Sequence, residues 1–192
     1  MKKVTSAVPP GASPAAGDGW FKIWYEGYDD TTSQWCTEKL ISDHGRIIVT
    51  IPTDIAGGYY LVRTELLALH QANLNPPNPQ FFVGCAQLFL TSTGTASPKS
   101  TVAIPGYVDL SKTAMAFNIW EKPMKLPYPE FGPPTYQSGG NSTQMASSKE
   151  QTEGLKHAGC ILESANWCGF EVASYMTQDG CWNVSLRADI PD

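Results

Sequence analysis

Apolar positions come in short runs along this chain, each closed by turn residues. Residues 20–26 (Trp20-Phe21-Lys22-Ile23-Trp24-Tyr25-Glu26) form an aromatic run that predicts a strand. Arg46-Ile47-Ile48-Val49-Thr50-Ile51 is rich in β-branched residues and stops at Pro52, as a strand does. Turn chemistry at residues 53–58 leads into a longer strand over 59–70. A Pro-rich loop at 71–79 then separates it from another strand over 80–91. Shorter strand candidates lie at 102–104 and 116–120, and residues 34–41 read as a single helical turn or an irregular connection. Residues 64–72 have helix-favouring types. The run nevertheless opens with Gly57-Gly58-Tyr59-Tyr60-Leu61-Val62 and its loop closes at Pro76-Pro77, so strand is the reading taken. No internal repeat is visible. Short strands between Gly, Pro and Asn turns point to an all-β chain, a β-sandwich.

Alternate residues of a strand share a face. Gln80 and Phe82 therefore lie together, with Cys85 on the other side, while His70 ends the even-numbered set Tyr60, Val62, Thr64, Leu66, Ala68. If the two long strands pair as a hairpin, His70 and Gln80 meet near its tip. An imidazole, an amide and an aromatic ring would make a small polar site there. The alternative is a histidine and a glutamine that satisfy backbone groups at the base of a loop.

Composition narrows the function classes. Charged residues make up 16% and aromatic residues 11% of 192 positions, which excludes a disordered polyelectrolyte. A net charge of −5 argues against a nucleic-acid partner, and no apolar run approaches the length of a membrane helix. The first ten residues start basic but hold no apolar stretch of the kind a secretory signal needs. Five cysteines (Cys36, Cys85, Cys160, Cys168, Cys181) fit no zinc spacing and suit disulfides, with one left over. Sequons at Asn141 and Asn183 lean the same way, towards secretion. Composition divides the chain into a sandwich portion at 1–136, a Ser/Gly/Thr-rich linker at 137–153 and a Cys-containing extension at 154–192.

Two blocks carry a resemblance: Arg63-Thr64-Glu65-Leu66-Leu67-Ala68-Leu69-His70, and Gln80-Phe81-Phe82-Val83-Gly84-Cys85-Ala86-Gln87. With the flanking Ile51-Pro52-Thr53-Asp54-Ile55-Ala56-Gly57-Gly58, Ile104-Pro105-Gly106-Tyr107 and Tyr128-Pro129-Glu130-Phe131-Gly132-Pro133, they resemble the fungal family-nine auxiliary-activity lytic polysaccharide monooxygenases. The resemblance implies an immunoglobulin-like β-sandwich. It also implies a copper site that cleaves cellulose or related β-glucans oxidatively, outside the cell, with an external electron donor. In that family copper is held by the amine and imidazole of a first-residue histidine and by a second histidine, nitrogen ligands suited to copper. Carried over by motif, His70 is the histidine that flanks the copper and offers a proton or hydrogen bond to the oxygen species, and Gln80 is its amide partner. Phe82 falls at the axial position, normally a tyrosine, and Tyr128 falls where a tyrosine stacks on glucose rings.

The chain departs from the pattern at the metal. Residue 1 is Met1, no histidine precedes His44, and neither His44 nor His157 matches a family ligand. The resemblance thus reads as the C-terminal portion of such an enzyme. It implies a sandwich lacking N-terminal strands, a Cys85 whose family partner lies in the other half, and no copper held by this chain. A non-catalytic glucan-binding sandwich that uses Tyr128 and neighbouring aromatics is the alternative.

Overall fold

A computed structural model describes residues 1–7, 15–109 and 115–139, together with two strands farther along, Ile161–Leu162 and Ser185–Asp189. The strands in order are β1 (Lys2–Val4), β2 (Gly17–Trp20), β3 (Tyr28–Asp29), β4 (Gln34–Trp35), β5 (Ile47–Ile48), β6 (Gly58–Ala68), β7 (Gln80–Thr91), β8 (Val102–Ile104), β9 (Ile161–Leu162) and β10 (Ser185–Asp189). A short helix, α1 (Cys36–Ser42), follows β4. The largest sheet runs β10-β7-β6-β1-β2-β8, and two-stranded ribbons β3-β4 and β5-β9 accompany it.

The β6–β7 hairpin is the spine of this sheet. It pairs antiparallel in unbroken register from Gly58 opposite Leu90 to Ala68 opposite Gln80. Because opposed residues share a face, the pairing puts Tyr60, Val62, Leu88 and Leu90 on one side. There they bury with Met1, Phe21, Ile51 and Ile55. Leu61 points the other way and packs with Ala15 and Trp20. Tyr60-Leu61-Val62 is thus buried on both faces, and each such side chain contributes about 1.5–3 kcal/mol on burial. A third cluster, Ala72, Phe117 and Tyr128, sits against the hairpin loop.

Three strand expectations change. The strand predicted at 20–26 lies earlier, at Gly17–Trp20, where Gly17 and Gly19 adopt φ of 85° and 99° that side-chain-bearing residues avoid. Beyond Trp20 a lone bridge from Lys22 to Thr135 is the ladder contact, so aromatic content alone does not extend the strand. In 46–51, Ile47–Ile48 alone pairs, with β9. Residues 116–120 form no strand. The Phe117 N–H donates to the Ala72 carbonyl at 3.1 Å, and the Trp120 N–H donates to the Asn118 side chain at 3.0 Å, which closes a turn.

The C-terminal arm of the described portion is fastened across the sheet. Lys22 Nζ bonds Glu130 at 2.7 Å, and the Tyr136 N–H donates to the Lys22 carbonyl at 2.7 Å. The Asp54 carboxylate accepts from the Tyr136 hydroxyl at 2.9 Å, Ser138 Oγ at 3.0 Å and the Gly139 N–H at 3.1 Å. These bonds carry the packed arm past residue 136, into the stretch that composition assigns to a linker.

Candidate functional site

The tip of the hairpin brings the expected residues near one another but not into the expected contact. β6 ends at Ala68, so His70 lies in the turn beyond it, exposed and outside the strand alternation. Gln80 opens β7, half-buried opposite Ala68. Its amide donates to Gln71 Oε1 at 3.4 Å, which also accepts from Asn78 Nδ2 at 2.7 Å. The Gln71 carbonyl in turn accepts the N–H groups of Leu74 (3.3 Å) and Asn78 (3.1 Å). Gln71, unremarked in the sequence, is therefore the hub of the loop. The expected His70–Gln80 pair is replaced by a Gln71–Gln80 pair, because the loop's own donors recruit Gln71 and leave the imidazole facing solvent.

Phe82 stands opposite Leu66 and is 48% exposed. It shares the wall of a cavity of about 630 Å³ with His70, Leu66, Trp24 and Tyr25. The lining also holds a charged cluster that sequence reading did not single out. Arg63 Nε bonds Glu65 Oε1 at 2.6 Å, and the Tyr107 hydroxyl donates to the other Glu65 oxygen. Burial, reinforced by that carboxylate, pushes the Tyr107 phenol above its ordinary range. The signal was available: Arg63 and Glu65 are two apart on a strand and so share a face.

The Met1 amino group is buried in the same region and donates to the Phe21 carbonyl at 2.6 Å. Desolvation lowers its pKa to about 5 against the opposing pull of Glu65. Among the described residues, no group of three or more His, Cys, Asp or Glu side chains could hold a metal ion. A copper centre needs several nitrogen donors, yet among the described residues the lining offers one imidazole, that of His70, and beside it Phe82 carries no side-chain heteroatom. The residues present do not fit a copper site by themselves.

Tyr128 is not presented to a sugar. It is 8% exposed and packs edge-to-face on Phe117 (centroids 4.9 Å apart) and Phe131 (5.4 Å). The quadrupoles of neighbouring rings favour this arrangement, and the aromatic content of the 117–131 stretch turns Tyr128 inward. Its hydroxyl is buried without a hydrogen-bond partner among the described residues. Burial, with a smaller push from Tyr25, raises its pKa to about 12.

Cys85 is buried and disulfide-bonded. Cys36 is a free, half-buried thiol. His44 sits exposed in a turn at φ 56°. Cys160, Cys168, Cys181, His157 and both sequons lie outside the described residues.

Comparison with known proteins settles the family. Residues 1–128, two thirds of the chain, match Auxiliary Activity family 9 (formerly GH61). The chain belongs to the AA9 family. An AA9 family lytic polysaccharide monooxygenase C of Aspergillus tamarii is 51% identical over 193 residues, which takes in 97% of this chain and 51% of that protein. The corresponding monooxygenase H of Botryotinia fuckeliana is 51% identical over 96% of this chain and 44% of its own length. The chain thus spans about half the length of these curated AA9 relatives. Among solved structures, CvAA9A superposes with a TM-score of 0.60 at 30% identity, covering 70% of this chain and 60% of that one. The AA9 β-sandwich expected from the sequence is the fold observed.

Proposed function

We propose that this chain forms the supporting part of a copper-dependent lytic polysaccharide monooxygenase acting on cellulose or a related β-glucan outside the cell, with an external electron donor. We propose equally that the chain alone holds no copper and is inactive. Membership of AA9 over residues 1–128 carries the first part. That His70 is the single histidine among the described residues lining the cavity carries the second.

In this reading His70, exposed at the hairpin tip, offers a hydrogen bond or proton towards the reacting centre. Gln80, held by Gln71, fixes the geometry behind it, and Phe82 shields the axial side without donating electrons. Copper, where bound, would supply the oxidative chemistry, and its ligands would have to come from elsewhere than this wall. The glucan-binding alternative loses its main residue, since Tyr128 is buried.

Isothermal titration of the 192-residue chain with Cu(II) tests the proposal. No tight uptake is expected, together with no release of oxidised oligosaccharides from cellulose plus reductant. A stoichiometric tight ion that disappears in the variants His44→Ala, His70→Ala or His157→Ala would overturn it.

A further inference from the structure

The segment that turns Tyr128 inward turns another aromatic ring outward. Burial alternates along residues 117–120: Phe117 is buried, Asn118 exposed, Ile119 half-buried and Trp120 exposed at 66%. Phe117 and Ile119 pack into the cluster with Ala72 and Tyr128. Trp120 is held outward by its turn, its N–H on the Asn118 side chain and the Glu121 N–H on the Asn118 carbonyl at 3.3 Å. The turn is anchored beside the hairpin tip, because the Phe117 N–H donates to the carbonyl of Ala72, two residues past His70. Three residues of chain reach about 10 Å at most, so Trp120 belongs to the same end of the molecule as His70.

The hairpin loop beside it is neutral and rich in amides. No Asp, Glu, Lys or Arg occurs between Glu65 and Lys99. The loop carries instead the exposed side chains of Asn73, Asn75 and Asn78. Those of Asn73 and Asn75 make no side-chain hydrogen bond among the described residues, and each offers two donors and an acceptor. Of the charges that follow Trp120, Glu121 and Lys125 pair with each other at 3.2 Å, which leaves Lys122. An apolar ring beside unspent neutral amides suits a ligand that has apolar faces and many hydroxyls. A charged ligand would find no counter-ion on the loop to offset its desolvation. We propose that Trp120, in place of the buried Tyr128, is the stacking platform of this chain and holds an uncharged β-glucan against the loop of Asn73 and Asn75. The proposal rests on the polysaccharide part of the function proposed above and is independent of copper.

Retention of the 192-residue chain on insoluble cellulose, with no metal added, tests the proposal. Wild type should be retained. Trp120→Ala should weaken retention about fivefold or more, whereas Trp120→Tyr, which keeps a ring, should hold most of it. Because Trp120 is exposed, the alanine variant should melt within about 3 °C of wild type, which separates loss of a platform from loss of the fold. Cellohexaose should shield the tryptophan fluorescence of wild type from iodide, and that shielding should vanish in Trp120→Ala. Undiminished retention of Trp120→Ala would overturn the proposal and leave the polysaccharide reading standing. Retention lost in a stably folded Tyr128→Phe, or equal retention on the acidic polymer polygalacturonate, would overturn it as well. Failure of wild type to bind either cellulose or cellohexaose would overturn it together with the glucan part of that function.

Discussion

Replacing Asp54 by alanine removes the acceptor of three hydrogen bonds that fasten the C-terminal arm. The bond from the Tyr136 hydroxyl is half-buried and is worth about 1 kcal/mol net; those from Ser138 and Gly139 are exposed and worth about 0.5 kcal/mol each. The sum, about 2 kcal/mol, corresponds to a fall in Tm of about 4–8 °C for a domain of this size. The loss should reach the core, because the Tyr136 ring packs edge-on against Phe21 at 6.0 Å. The pH dependence has a definite sign. Partial burial pushes the Asp54 carboxyl up, but the bonds from Gly139, Tyr136 and Ser138 outweigh it and leave the pKa below the ordinary 3.8. A depressed folded-state pKa means that the stabilisation is fully present above the unfolded value and is lost as pH falls through the folded one. Thermal melts of wild type and Asp54→Ala should therefore differ by a constant amount near neutrality and converge on acidification below about pH 4. Hydrogen exchange at the Tyr136 amide should quicken in the variant. An Asp54→Ala melt within 1 °C of wild type (about 0.3 kcal/mol), with that amide still protected, would refute the reasoning.

Gly94→Ala should cost about 1–3 kcal/mol by overpacking, read from denaturant unfolding, because a Cβ there would stand 2.3 Å from the Asp54 carbonyl oxygen and 2.7 Å from that of Ile55. A variant as stable as wild type would show that the 92–96 turn yields freely. Burial, with Glu26 adding and Lys39 opposing, pushes the Cys36 thiol up to about 11 from an ordinary 9.0. Since the thiolate is the nucleophile, its reaction with a disulfide reagent at neutral pH should run about 100-fold slower than that of a free thiol. Reaction at the free-thiol rate would contradict that burial.

The long strands were legible from the sequence because their signal is local. Β-branched and aromatic alternation between turn residues located Gly58–Ala68 and Gln80–Thr91 to within a residue or two, and put Gln80 and Phe82 on one face with Cys85 on the other. Short strands were not legible, because a two- or three-residue strand is defined by its neighbour's backbone rather than by its own pattern. Residues 20–26 and 116–120 carry strand-like side chains with little or no ladder to join.

The motif blocks around His70 and Gln80 fixed the family, since a series of such blocks in order survives any uncertainty about packing. The sequence likewise determined which side chains are encoded there: one imidazole, His70, near the hairpin tip and a phenylalanine, Phe82, on the strand that follows. Tertiary structure alone decided what each group meets. It gave Gln80 to Gln71 rather than to His70, turned Tyr128 inward onto Phe117 and Phe131, and joined Glu65 to a tyrosine 42 residues away. The physical reason is range. Hydrophobic alternation and turn propensity act between near neighbours in the chain. Side-chain partners are chosen by burial and hydrogen-bond satisfaction across the fold, where distance along the sequence carries no weight.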